Sequence, residues 1–284
     1  MTNKWIIGSR PRTLPAAIAP VLVGTALAGT HWQPLRAAMA LAVSLLLQIG
    51  VNYANDYSDG IRGTDSNRLG PTRLTASGLA SAAAVKRAAL LSFALASLFG
   101  LGLASLTSWW LIPVGLVAIV AAWGYTGGKN PYGYLGLGEV SVFVFFGVVA
   151  TVGSYFVQVE KVTLVSFIAS IPMGTLACAI LVINNIRDRA QDAIVGKKTL
   201  AVRLGDRSAR YFYLLLLISA HIFAIAAARQ WGLLTLIALP LTINLARKIT
   251  TDIHGVQLAP LLAKTGQLQL VFAVCFSLGL LFLV

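Results

Sequence analysis

Charge is what this sequence has least of. Only 11% of its 284 residues are Asp, Glu, Lys or Arg, against 57% hydrophobic, and the mean hydropathy is +0.80. Soluble globular chains carry about 25% charged residues, so a water-facing surface cannot be built from this supply. The chain is read as an integral membrane protein. Cysteine is scarce too: Cys178 and Cys275 both sit in apolar runs, which excludes a disulfide framework and suits two small buried thiols. Three scattered histidines, His31, His221 and His254, offer no Cys/His cluster for zinc. A net charge of +13 invites a nucleic-acid reading. No basic helix interleaves with stacking aromatics, however, and in a membrane chain such charge marks cytoplasmic loops and anionic lipid.

What is present is a series of long uncharged runs. They contain 18 residues between Arg12 and His31, 19 between Arg36 and Asp56, and 41 between Arg87 and Lys129. Beyond come 20 between Glu139 and Glu160, 25 between Lys161 and Arg187, 18 and 17 on either side of Arg229, and 20 after Lys264. About 20 apolar residues cross a bilayer. The 41-residue run is too long for one crossing, and Leu106-Thr107-Ser108-Trp109-Trp110 supplies a turn with interfacial indoles to divide it. The expected fold is therefore all-α: nine transmembrane helices in a single bundle around a cytoplasm-facing cavity, with residues 1–284 as one domain. The first run is long enough to span and has no clear cleavage site, so it reads as a helix and not as a signal peptide.

If the loops alternate sides, 19 of the 22 Lys and Arg fall on one side, leaving only Arg36, Lys161 and Arg229 on the other. That asymmetry places the amino terminus in the cytoplasm and the carboxyl terminus outside the cell membrane.

Five of the nine acids lie in two short segments at the cytoplasmic ends of helices. One runs Asn52-Tyr-Ala-Asn55-Asp56-Tyr-Ser-Asp59-Gly-Ile-Arg62-Gly-Thr-Asp65, the other Asn184-Asn185-Ile-Arg187-Asp188-Arg189-Ala-Gln-Asp192. Carboxylates at a membrane helix end are costly unless something uses them. If the helices continue through both segments, Asn55 and Asp59 share one face, and Asn184, Asp188 and Asp192 form a stripe at steps of four. Two facing rows of oxygen donors suit Mg²⁺, which takes one or two carboxylates and completes its shell with water and phosphate. Two such ions, with Arg62, Arg68, Arg73, Lys129, Arg187 and Lys197 nearby in sequence, turn the acidic rows into a site for a diphosphate. Asn55-Asp56-x-x-Asp59 echoes Asn184-Asn185-x-x-Asp188, so helices 1–4 and 5–9 are candidate pseudo-repeat halves. A third segment, Tyr125-Thr-Gly-Gly-Lys129-Asn-Pro-Tyr132-Gly-Tyr134-Leu-Gly-Leu-Gly-Glu139, holds five glycines. It suits a lid over the charged site or a plain connector.

These residues resemble the UbiA superfamily of intramembrane aromatic prenyltransferases. The stripe Asn184-x-x-x-Asp188-x-x-x-Asp192 matches the family pattern, while the first motif departs from its commonest form in placing Asp65 six residues after Asp59. That Asp59-x-x-x-Gly63-x-Asp65 variant is similar to the 1,4-dihydroxy-2-naphthoate branch. So are Arg10-Pro-Arg-Thr-Leu-Pro15, Leu69-Gly-Pro-Thr-Arg73, Gly136-Leu-Gly-Glu139 and Gly196-Lys-Lys-Thr-Leu-Ala-Val-Arg-Leu-Gly205. The resemblance implies Mg²⁺-dependent transfer of a polyprenyl or phytyl group from its diphosphate to dihydroxynaphthoate, with loss of CO₂ and diphosphate, in quinone biosynthesis. Membrane lipid surrounds the protein, and donor length and oligomeric state are not legible.

On that basis Asn55, Asp56, Asp59, Asn184, Asp188 and Asp192 are the expected metal ligands, Asp56 and Asn184 in a supporting or water-mediated role. Arg62, Arg73, Lys129, Lys197 and Asn52 are expected at the substrates. Asp65 and Tyr125 are expected to contact or deprotonate the acceptor, and Asp59 and Asp188 to be indispensable. Two alternatives stay open: another acceptor (4-hydroxybenzoate, homogentisate or a chlorophyllide), or a cation-coupled transporter with its polar helix ends at a repeat interface.

Overall fold

The computed structural model describes residues 3–64, 70 and 72–283. Asp65 and Arg68, both expected near the substrates, lie outside the described residues. A short helix, α1 (Lys4–Ser9), leads into α2 (Pro15–Ala26), α3 (Pro34–Arg62), α4 (Ala82–Leu106) and α5 (Leu111–Gly124). The next rod is α6 (Gly138–Val142), continued through a π-helical stretch (Phe143–Val149) into α7 (Ala150–Val159). Then come α8 (Leu164–Ile194) and α9 (Leu200–Ala228), a 3₁₀ stretch (Arg229–Ala238) running into α10 (Leu239–Ile249), and α11 (Ala259–Leu281).

Counting α6–α7 as one rod and the 3₁₀ stretch with α10 as another, nine rods of membrane-helix character follow α1 among the described residues. The 41-residue run does divide, with α4 ending at Leu106 and α5 starting at Leu111. Trp109 and Trp110 stand exposed in the turn between them, where indoles suit a bilayer interface. At Arg229 the backbone takes φ 53 and ψ −135, and the chain doubles back into the short rod ending at Ile249.

Small residues set the closest helix contacts, as expected where lipid offers no hydrophobic drive and packing must come from close approach. A Cβ on Gly147 would lie 2.6 Å from Gly174 Cα, and one on Gly24 would run into the Thr151 carbonyl oxygen. The main core joins α8, α9 and α11 around Met173, Ile183, Tyr213, Leu217, Phe272 and Phe276. A second cluster seats α3 against α4 through Tyr53, Leu74, Val85 and Phe93.

The two ends of the bundle differ in chemistry. At one end Arg36 joins three elements, donating to the carbonyls of Leu106 and Val157 and to Glu160 at 3.0 Å. At the other end lie α1, the loop after α3, the glycine-rich loop after α5 and the α8–α9 turn. There Arg10, Arg62 and Lys197 reach across between elements.

Candidate active site

The helices do continue through both acidic motifs. α3 carries Asn55 and Asp59 on its last turns, and α8 carries Asn184, Asp188 and Asp192 in one unbroken stripe. Gly63, at φ 72, ends α3 immediately after the motif, a left-handed cap that glycine adopts without penalty. A cavity of about 360 Å³ opens between the two helices. Asn52, Asn55 and Asp59 line it from α3, Asn184, Asn185 and Asp192 from α8, and Arg10, Arg73 and Lys197 add positive charge to its wall.

Asp59 is the hub. It is buried, accepts a 2.6 Å hydrogen bond from the Tyr134 hydroxyl on one carboxylate oxygen, and takes Lys197 Nζ at 3.0 Å on the other. Lys197 Nζ also lies 4.7 Å from the centre of the Tyr134 ring. One acid, one ammonium and one phenol from three elements thus close on each other. Burial first, and then the Asp59 charge, pushes the Tyr134 phenol above its ordinary pKa. It stays a donor through the physiological range.

The glycine-rich segment folds over this hub. Arg62 donates to the carbonyls of Thr126 and Gly128, and the Thr126 hydroxyl donates to Asn55 Oδ1 at 2.7 Å. Tyr134 takes the Lys198 amide on its carbonyl at 2.9 Å, joining the segment to the α8–α9 turn. Replacing Tyr134 with Phe removes one charge-assisted bond that orients Asp59. We expect kcat/KM to fall about tenfold with little change in melting temperature; an unaltered kcat/KM would show that the phenol does not orient the carboxylate.

Asp188 is held differently from Asp59. It makes a two-pronged pair with Arg187, Nε to Oδ1 and Nη2 to Oδ2, both at 2.7 Å, with both side chains almost fully buried. The same guanidinium donates to Asn184 Oδ1 at 2.8 Å. Asp188 itself is not on the cavity wall, whereas half-buried Asp192 is.

Asp188, expected as a metal ligand, thus turns both oxygens to Arg187 and away from the cavity wall, and three further expected residues sit elsewhere or work otherwise. Asp56, expected as a metal ligand, is fully buried away from the cavity wall, its two oxygens accepting the Leu74 and Thr75 amides at 2.8 and 2.9 Å. Those bonds pin the loop after α3, and Asp56 presents no oxygen to the cavity. Asp56→Ala leaves two amides unpaired, and we expect it to cost about 1–3 kcal/mol in an unfolding titration; an unshifted midpoint would contradict the pinning role. Lys129 is exposed and off the cavity wall. Arg62 is spent on the loop carbonyls and does not line the cavity.

Asn52 lines the cavity but also anchors the amino-terminal segment. Its amide donates to the Ser9 carbonyl at 2.9 Å and to Thr13 Oγ1 at 3.1 Å, and Arg10 donates back to its carbonyl. Tyr125 lines the cavity, and burial followed by the nearby Glu139 charge raises its phenol pKa. A phenol held neutral can donate a hydrogen bond into the cavity.

Sequence reasoning missed two wall residues, Arg10 and Tyr134, and one buried acid behind them. Arg10 sits inside the Arg10-Pro-Arg-Thr-Leu-Pro15 motif but reads there only as loop charge. Tyr134 was one phenol among three in its segment. Glu139, counted as a loop acid, is buried and accepts from Asn185 Nδ2 at 2.9 Å.

Among the described residues no three His, Cys, Asp or Glu side chains converge as a closed cage. The donors around the cavity are instead the oxygens of Asn55 and Asp59 on α3 and of Asn184 and Asp192 on α8. That set fits Mg²⁺, which keeps part of its shell for water and phosphate.

Comparison with known proteins agrees with this geometry. The pattern of the UbiA prenyltransferase family matches residues 17–252. The chain belongs to that family. It is 48% identical to the 1,4-dihydroxy-2-naphthoate octaprenyltransferase of Mycobacterium tuberculosis, over 98% of this chain and 97% of that one. The enzyme of the same name from Escherichia coli K12 is 38% identical over 98% of this chain and 95% of its own. Among solved structures, a UbiA homolog from Archaeoglobus fulgidus bound to GPP and Mg²⁺ superimposes with a TM-score of 0.69 at 16% identity, covering 99% of this chain and all of that one. The UbiA fold is therefore shared, and the protein is a multi-pass membrane member of the family.

Proposed function

We propose that this UbiA-family protein transfers a polyprenyl group from its diphosphate to 1,4-dihydroxy-2-naphthoate, releasing diphosphate and CO₂, as a step of menaquinone biosynthesis. The observation that carries the reading is the near full-length identity to 1,4-dihydroxy-2-naphthoate octaprenyltransferases. It is joined to a cavity that is charged at one end and apolar along the rest. A transporter is disfavoured, because the acids gather at one end of the helices and not at mid-membrane.

Asn55 and Asp59 on α3 and Asn184 and Asp192 on α8 would hold Mg²⁺, two facing motifs favouring two ions. When bound, the metal supplies positive charge against the leaving diphosphate. Lys197, Arg73 and Arg10 draw the diphosphate to the same end of the cavity, and Arg187 orients Asn184 from behind. The allylic carbon–oxygen bond breaks, its electrons leaving with diphosphate. The electron-rich ring forms the new carbon–carbon bond, and the ring keeps the electron pair of the carboxylate lost as CO₂. Leu47, Val51, Phe146 and Ile180 on the wall keep water from the allylic cation. Tyr125 and Tyr134, held neutral, donate hydrogen bonds. The end that carries the site faces the cytoplasm, as the Lys and Arg asymmetry favours.

The test is diphosphate release by purified protein given Mg²⁺, farnesyl or octaprenyl diphosphate, and one acceptor at a time. Release with dihydroxynaphthoate and its loss on chelation are expected. Release only with 4-hydroxybenzoate or homogentisate would overturn the acceptor, and release with none would overturn the enzyme.

A further inference from the structure

Glu139 is a buried acid that neither the metal nor the diphosphate requires. It opens α6 at the charged end of the bundle, where that rod meets α8. A carboxyl group at a membrane helix end is costly unless something uses it. The protein itself uses only one of its oxygens. Oε1 accepts from Asn185 Nδ2 at 2.9 Å, while Oε2 has no hydrogen-bond partner among the described residues. The contact is firmly seated: Gly147 and Gly174 let the rod and α8 approach closely, and Cys178 Sγ donates to the Glu139 carbonyl at 3.1 Å.

This bond settles which way the Asn185 amide faces. Because Oε1 takes an NH₂ proton, the amide oxygen Oδ1 is left for another partner. Asn185 lies on the cavity wall, and its Oδ1 makes no hydrogen bond among the described residues. On α8 it stands about 100° round from Asn184, off the stripe that Asn184 forms with Asp188 and Asp192 and on the side that meets α6.

A free donor stands on the same wall. The Tyr132 hydroxyl donates to the Ala121 carbonyl at 2.7 Å and the Tyr134 hydroxyl to Asp59. The Tyr125 hydroxyl makes no hydrogen bond among the described residues. Its ring is nevertheless fixed, edge-on to Tyr132 with centroids 5.6 Å apart. Its hydroxyl rests against Gly138, where an added Cβ would lie 3.0 Å from it and 3.3 Å from Leu181. Leu181, one turn before Asn185 on α8, is on the wall as well. An apolar patch thus carries one unused acceptor and one unused donor beside the metal end.

We propose that Asn185 and Tyr125 hold the aromatic acceptor, Asn185 Oδ1 accepting from a ring hydroxyl and the Tyr125 hydroxyl donating to an oxygen of the same ring. Glu139 is the positioning residue that fixes the Asn185 amide. The inference deepens the dihydroxynaphthoate reading and rests on it. The hydroxyl concerned is the one at ring position 4, since the 1-hydroxyl bonds the carboxylate beside it. A diphosphate brings no donor to Asn185 Oδ1, and the metal is drawn to the stripe on the neighbouring face of the helix.

The test compares dihydroxynaphthoate as substrate with 1-hydroxy-2-naphthoate, which lacks the 4-hydroxyl, as competitive inhibitor, using Mg²⁺-loaded protein and farnesyl diphosphate. Asn185→Ala is expected to raise KM for dihydroxynaphthoate about tenfold, the scale of one hydrogen bond lost at a buried group. The inhibition constant of the analogue, the donor KM and the Mg²⁺ requirement should all hold. Glu139→Leu should give the same split, and Glu139→Gln, whose amide oxygen can still accept from Asn185, should restore wild-type values. Tyr125→Phe removes a hydroxyl that bonds nothing in the protein, so the fold is kept, and KM for dihydroxynaphthoate should rise severalfold with the donor KM unchanged. Equal weakening of substrate and analogue in Asn185→Ala would overturn the assignment, as would a rise in donor KM or Mg²⁺ requirement in its place. So would a wild-type KM in Tyr125→Phe, whether or not the Asn185 variant folds. Wild-type protein that gives no product with dihydroxynaphthoate would instead reject the proposed reaction, and this subsite with it.

Discussion

Asp59→Asn is expected to cut turnover by about 10²–10³-fold, the scale seen when one fixed group that answers developing charge is removed. Asparagine keeps the shape of the side chain but offers one acceptor oxygen where Tyr134 and Lys197 use two, so it loses the negative charge and one of these bonds. That charge sits at the junction of three elements, 2.6 Å from the Tyr134 hydroxyl and 3.0 Å from Lys197 Nζ, on the wall shared with Asn55 and Asp192. Without it the donor pair on α3 holds only amide oxygens for a hard cation, and Lys197 loses the anion that fixes its position. The measurement is steady-state product formation over a Mg²⁺ titration. A raised Mg²⁺ requirement should accompany the loss of rate, while wild-type turnover and an unchanged Mg²⁺ dependence would remove Asp59 from the metal proposal.

Asp188→Ala is expected to damage both stability and activity. Its partner Arg187 is as buried as Asp188 itself, and both prongs of the pair are 2.7 Å long. Removing one member of a buried ion pair typically costs about 3–5 kcal/mol, because the remaining charge is left uncompensated. The released guanidinium also loosens its hold on Asn184 Oδ1, so the α8 donors lose their alignment. A double variant, Arg187→Met with Asp188→Leu, should recover most of the stability without recovering turnover. Unfolding in a detergent titration, read beside product formation, separates the two effects. An unshifted unfolding midpoint in Asp188→Ala would contradict the buried-pair account, and full activity in the double variant would contradict the alignment role. Asp192→Asn, half-buried and on the cavity wall, is the natural companion, with activity falling and stability preserved.

The helical frame was legible because its signals are long and redundant. Uncharged runs of membrane length, interfacial tryptophans at the α4–α5 turn and a one-sided Lys and Arg distribution all point to the same rods. The four-residue spacing of Asn55 with Asp59, and of Asn184, Asp188 and Asp192, fixes which side chains share a helix face. What spacing does not carry is what each oxygen does. Asp56 and Asp59 belong to one motif, yet the first is used on two backbone amides while the second faces the cavity.

Long-range partners were equally hidden. Lys129 and Lys197 have the same side chain in comparable loops, but only the turn between α8 and α9 brings a lysine to Asp59, 138 residues away. Tyr134 reaches the same acid across 75 residues, and its segment offered only glycines and phenols to suggest a lid. The short helix α1 and the ladder from Asn52 to Ser9 and Thr13 were beyond reach for the same reason: each depends on a fold contact and not on a local pattern.

The fate of the acceptor's carboxylate tests the proposed reaction most directly. Dihydroxynaphthoate labelled with heavy carbon in that group, incubated with the protein, Mg²⁺ and farnesyl diphosphate, is analysed by mass spectrometry of both the gas and the lipid extract. The predicted result is label in CO₂ and an unlabelled prenylated naphthoquinol, formed in step with diphosphate. A prenylated product that keeps the label, or diphosphate release with no prenylated naphthalene ring, would contradict the proposed reaction.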